Sequence, residues 1–141
     1  KELRTAIDCG IDTNIAAGQL ADLYRSQGRF DEAVSVFEDE MKRQPDYRPV
    51  GAINVAVLRT LQGKRDLAKR ALLDIEPELK TLMTPDVQIG WFYLGQLESD
   101  AGHAAEAKGY METFLRNTAG MNDPKIARLR AQASEIAGTS R

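Results

Sequence analysis

His103 is the sole histidine of the 141 residues, and it stands with Asp100 and Glu106 at helical distances. Three groups able to ligate a cation or exchange a proton therefore share one short stretch. Zinc and iron sites draw on more nitrogen or sulfur donors than this, so the trio reads as a turn histidine beside solvent-facing carboxylates. Cys9 is the only cysteine. It has no neighbouring histidine and no helix N-terminus to stabilise a thiolate, and any disulfide it formed would join two chains. No phosphate-cradling glycine loop, nucleophile elbow or HExxH pattern occurs. The carboxylates Glu38, Asp39 and Glu40 read as a solvated helix face, with Glu40 also replacing a small packing residue. Lys125, Arg128 and Arg130 fit the outer face of a terminal helix. The expectation is no catalytic residue, no cofactor and no metal.

Composition limits the partners. Lysine and arginine number 19 against 21 acidic residues, for a net charge of -2, and they are scattered along the chain. Without a basic face to neutralise phosphates, nucleic acid is not expected as a partner. Hydrophobic residues at 43% and charged residues at 28% suit a folded globular chain of one domain. No apolar run approaches the roughly 20 residues of a membrane span. The charged start at Lys1 is no secretory leader, and a start at lysine suggests a piece of a longer protein. No compartment can be read from these residues.

What the chain does contain is a repeat. Gly28 with Ala33, Gly63 with Ala68 and Gly102 with Ala107 align at one spacing, in QGRFDEA, QGKRDLA and AGHAAEA. The same glycines align upstream residues: Ala17, Leu20 and Ala21; Ala52, Val55 and Ala56; Trp91, Leu94 and Gly95. Downstream they align Ala33 and Phe37, Ala68 and Leu72, Ala107 and Met111. These columns have the three-or-four-residue spacing of a helix face, so each unit is helix, tight turn, helix. Pro49, Pro85 and Pro124 suit first helical turns, with Thr84 and Asp123 as N-caps. Helices are predicted near 14 to 27, 31 to 43, 49 to 62, 66 to 76, 85 to 100, 104 to 117 and 124 to 137.

These units resemble tetratricopeptide repeats, whose pattern runs W-x2-L-G-x2-Y, then A-x3-F, then P. Trp91, Leu94 and Gly95 match its first half, and Leu20, Ala21, Tyr24, Ala33, Phe37 and Pro45 most of the rest. Arg59 and Glu98 depart from it, standing where an aromatic belongs. The resemblance implies an all-α, right-handed superhelical solenoid of antiparallel hairpins. It divides the chain into an N-terminal segment (1–13), repeats at 14–47, 48–84 and 85–121, and a capping helix with tail (122–141). Leu3 and Ile7 read as the tail of a preceding helix. Gly28 and Gly63 lie 35 residues apart, near the family's usual spacing of about 34, whereas Gly63 and Gly102 lie 39 apart. The excess falls between Ile75 and Pro85, where Pro77 stops or kinks the helix. An irregularity in the stack is expected there, anchored by Leu79, Leu82 and Met83.

The resemblance further implies that the first helix of each hairpin lines a concave, partner-binding surface. Opposite the packing columns, that face is expected to carry Asp22 and Arg25, then Val50, Ile53, Asn54, Val57 and Leu61, then Ile89, Phe92, Tyr93 and Gln96. Family members that grip a C-terminal carboxylate use cationic and amide donors on this face. Here only Arg25 suits that role, and the centre is apolar. The expected ligand is an amphipathic or apolar protein segment. The alternative is a structural spacer or self-assembly element, in which a second copy of the chain fills the groove.

Overall fold

The computed structural model describes residues 13–138, so the expectations for Lys1, Leu3, Ile7 and Cys9 lie outside the described residues. Those residues form α1 (Thr13–Ser26), α2 (Phe30–Arg43), a 3-10 turn (Pro45–Tyr47), α3 (Arg48–Leu61), α4 (Arg65–Leu73), α5 (Glu76–Thr81), α6 (Pro85–Asp100), α7 (Ala104–Asn117) and α8 (Pro124–Gly138). No strand occurs among them, and the fold is all-α as expected. One helix is corrected. The stretch expected as 66 to 76 ends at Leu73, and α5 follows with Pro77 in its first turn. Proline lacks the N–H that a helix interior needs and is tolerated where helices begin.

The three aligned glycines have one geometry. Gly28, Gly63 and Gly102 carry φ of 75°, 77° and 83°, a left-handed conformation that side chains resist. Around each, the next residue's N–H reaches five residues back: Arg29 to Tyr24 O, Lys64 to Arg59 O and His103 to Glu98 O, each at 2.8 Å. The glycine N–H bonds a carbonyl three residues back, which completes a Schellman turn. The residue after the glycine also starts the next helix. Arg29 O, Lys64 O and His103 O accept the N–H of Ala33, Ala68 and Ala107 at 3.1, 3.1 and 2.9 Å. That double duty explains the fixed glycine-to-alanine spacing, since the alanine closes the first turn of the new helix.

The chain divides into two compact units, Lys1–Ala71 and Leu72–Arg141. In the first, α1 packs on α2 and α2 on α3. The buried contact joins Ala16, Ala17, Leu20 and Ala21 of α1 to Ala33, Val34, Val36 and Phe37 of α2, with Val55 and Leu58 from α3. Alanines on α1 bring the helix axes close, and each large aliphatic buried adds about 1.5–3 kcal/mol. Glu38 and Asp39 are exposed, but Glu40 is only 1% exposed. It follows Phe37 by three residues and so lies on the inner face. Both its carboxylate oxygens lack a hydrogen bond, and Arg43 Nη1 is 3.6 Å from one of them.

In the second unit α7 packs against α6 and α8, and α5 against α6. Phe92 of α6 lies 5.7 Å from Phe114 of α7, ring centre to ring centre. Gly95 permits the close approach of this pair, because a Cβ there would sit 2.8 Å from Met111 Cε. Asp123 caps α8 as expected, its Oδ1 accepting the N–H of Lys125 (2.9 Å) and Ile126 (3.1 Å). Thr84 occupies the N-cap of α6 without a side-chain cap; its carbonyl accepts the N–H of Val87 and Gln88 instead. Arg130, expected on the outer face, turns inward. Its Nη1 donates to Leu115 O (2.6 Å) and Thr118 Oγ1 (2.7 Å), filling acceptors at the end of α7.

Two substitutions test this account by urea unfolding. Gly102→Ala meets no atom within 4 Å of the new Cβ, so its cost is conformational alone, about 1–2 kcal/mol, and Gly102→Asn is expected to lose less. Glu40→Met replaces a buried carboxylate whose ionic neighbour Arg43 is partly solvated. It is expected to raise stability by about 1 kcal/mol, the low end for such replacements.

Candidate functional site

Helix periodicity decides which of the expected surface residues meet solvent. On α3, Val50, Asn54, Val57 and Leu61 follow one another at steps of four, three and four, which draws a single line along the helix. Val50, Asn54 and Val57 are half-buried and Leu61 is 55% exposed. Asn54 Nδ2 donates to the Tyr47 hydroxyl at 3.2 Å. Burial pushes the Tyr47 phenol up despite that bond, so the hydroxyl stays neutral and the line carries no charge at physiological pH.

The matching line on α6 holds Ile89, Tyr93 and Gln96. Ile89 is buried, Tyr93 half-buried and Gln96 exposed. Burial raises the Tyr93 phenol too. On α1, Asp22 and Arg25 are exposed and pair with each other at 3.7 Å across one turn, a contact worth little in water. Besides Ile89, at 8% exposed, two more of the expected surface residues are buried: Ile53 and Phe92 are 2% and 1% exposed. Both stand ten residues before a turn glycine, whereas the exposed line passes nine before it, through Asn54 and Tyr93. One residue turns a helical position by about 100°, enough to move it from surface to core.

The residues between Ile75 and Pro85 are gathered by a polar cluster that sequence reasoning missed. Gln88, fully buried, donates through Nε2 to Leu79 O (2.7 Å) and Leu82 O (2.9 Å). Its Oε1 accepts from Asn117 Nδ2 at 2.9 Å. Trp91 Nε1 adds a second donor to Leu79 O at 3.2 Å, and its ring stacks on Tyr110 with centroids 6.1 Å apart. Trp91 is thus structural. Gln88 precedes Trp91 by three residues, so a polar residue on the packing face was the available signal.

Arg59 and Glu98, the departures from the aromatic column, also find roles at their turns. In the first turn the Arg29 guanidinium lies 4.6 Å from the Tyr24 ring centre, a cation-π contact. In the second, Arg59 and Lys64 approach Asp31 at 3.1 and 3.9 Å, and Gln62 Nε2 donates to the same oxygen at 3.1 Å. The Gln62 hydrogen bond, the Lys64 charge and the Arg59 hydrogen bond hold the Asp31 carboxyl below its usual 3.8. A depressed value means that this contact is at full strength above pH 3.8 and fades as pH falls through the lowered pKa. In the third turn His103 Nδ1 is 3.3 Å from Glu98 Oε1. Glu98, not Asp100, joins His103 and Glu106, with donor atoms all within 4.8 Å of one another. Each side chain thus meets its turn with chemistry of its own.

Gln88→Leu is expected to cost about 1–3 kcal/mol, because it strands buried polar partners. Amide hydrogen exchange should quicken first in α5 and residues 82–84, which checks that the cluster holds that segment.

No helix of the described residues is long and apolar enough to cross a membrane. Comparison with curated proteins finds no significant match. Residues 16–48, from the first turn of α1 to the start of α3, match the family model of the tetratricopeptide repeat. That family builds protein-interaction scaffolds from paired helices. With an all-α chain of helical hairpins, this match over the first hairpin supports a tetratricopeptide repeat family for the chain and, with it, a general role in protein interaction.

Proposed function

We propose that the protein holds an apolar or amphipathic segment of a partner against the first helices of its hairpins, and that its own role is binding rather than catalysis. In this reading residues 14–47, 48–84 and 85–121 are three repeats, and α8 is the capping helix. The supporting observation is the line of Val50, Asn54, Val57 and Leu61 on α3. It leaves Leu61 more than half exposed beside two half-buried valines, with no ionised group on the line.

A central apolar strip with a polar margin is the general form of a protein interface. Asn54 supplies one amide within the strip, and Asp22 and Arg25 on α1 supply charged groups of opposite sign. A tail bearing several carboxylates is disfavoured, since Arg25 is the only cation among the expected surface residues and already pairs with Asp22.

Affinity capture on the intact chain, followed by mass spectrometry, tests the reading. Leu61→Glu and Val57→Glu place a carboxylate on the strip and are expected to weaken capture of the specific partner by about tenfold or more, the loss of one interface anchor. Circular dichroism should show both variants as helical as the parent. Undiminished capture by both would refute the strip as the contact. Light scattering of the purified chain addresses self-assembly: a mass that rises with concentration, and falls back in Leu61→Glu, would make the partner a second copy.

A further inference from the structure

Within the second unit, α7 runs back between α6 and α8, so the first turns of α6 and α8 come to the same end. Between them lies a cleft of about 330 Å³ lined by Pro85, Asp86 and Ile89 of α6 and by Asp123, Lys125 and Ile126 at the start of α8. Its floor is Ile89, Ile126 and Pro85, the two isoleucines being 8% and 1% exposed. This volume is at the small end of ligand pockets, about 300–1,000 Å³, and suits one or two side chains rather than a helix.

The rim decides which neighbour the guest side chain brings. A helix N-terminus ordinarily attracts anions through its free N–H groups. Here three of those donors, the N–H groups of Val87, Lys125 and Ile126, already have partners. Val87 and Gln88 N–H bond to Thr84 O, and Lys125 and Ile126 N–H bond to Asp123 Oδ1. The charged side chains lining the cleft are two carboxylates, Asp86 and Asp123, the second also capping α8, against one ammonium, Lys125. The local balance is negative, as is that of the whole chain.

We propose that this cleft is a recognition subsite for a peptide bearing an aliphatic or aromatic side chain next to a lysine or arginine. The apolar side chain rests on Ile89, Ile126 and Pro85, and the cation lies against Asp86. The inference deepens the binding function proposed above and rests on it, adding a charge preference at one end of α6.

Nuclear magnetic resonance titration of the intact chain tests it with two probes, acetyl-Gly-Leu-Arg-Gly-amide and acetyl-Gly-Leu-Glu-Gly-amide. The arginine peptide is expected to shift the Ile89 and Ile126 amide signals and to bind about two- to fivefold tighter than the glutamate peptide, the range of one exposed charge contact. Asp86→Asn should erase that preference while leaving the leucine-dependent shifts. No shift at Ile89 or Ile126, equal binding of the two peptides, or a preference that survives Asp86→Asn would overturn the proposal. If the cleft fails while Leu61→Glu still releases the captured partner, only the subsite is lost. If the cleft binds while Leu61→Glu has no effect, the strip on α3 is lost and the subsite stands.

Discussion

The hydrogen bond from the residue after each turn glycine to the carbonyl five residues earlier is the constraint from which the rest of the molecule follows. It forms only if the glycine adopts a positive φ, and it ends one helix on the residue that begins the next. Only a three-residue turn intervenes. The two helices of a hairpin are therefore registered to each other before any side chain packs, and alanine can recur at a fixed distance because the geometry at that distance is the same each time. Packing then requires small residues where the backbones come close, as Ala17 and Ala21 show in α1 and Gly95 beside Met111 shows in α6.

The side chains at these turns show how loosely the same backbone constrains its decoration. Tyr24, Arg59 and Glu98 all offer the accepting carbonyl, and all three engage a neighbouring side chain, by cation-π contact, by a shared aspartate and by a 3.3 Å approach to histidine. The backbone demands the carbonyl, which every residue has. The aromatic expected from the family pattern is one solution among several.

The helices and their turns were legible in the sequence because they rest on local rules: periodicity, a glycine at each turn and prolines at helix starts. Which residues of the first helices reach the surface was legible to within one residue of helical register, and that residue mattered. Ile53 and Phe92 are core while Asn54 and Tyr93 face outward, a distinction that turns on the contacts of each position rather than on hydrophobicity. The Gln88 cluster could not be read from composition, because its partners are backbone carbonyls of Leu79 and Leu82, groups that every residue carries. Glu40 misled in the same way: its type announces solvent, but its place after Val36 and Phe37 puts it inside.

Because one residue both finishes a helix and starts its partner, the hairpin turn has no slack in which to accept an added residue without giving up the shared bond. The junctions after each hairpin are under no such rule. The first carries a 3-10 turn, the second the short helix α5, and the third a non-helical stretch that ends at Asp123, the cap of α8. Variation in length is thereby confined to one class of connection. A chain of this build can change the length of a junction while each hairpin keeps its own internal register, without redesign of the helices themselves.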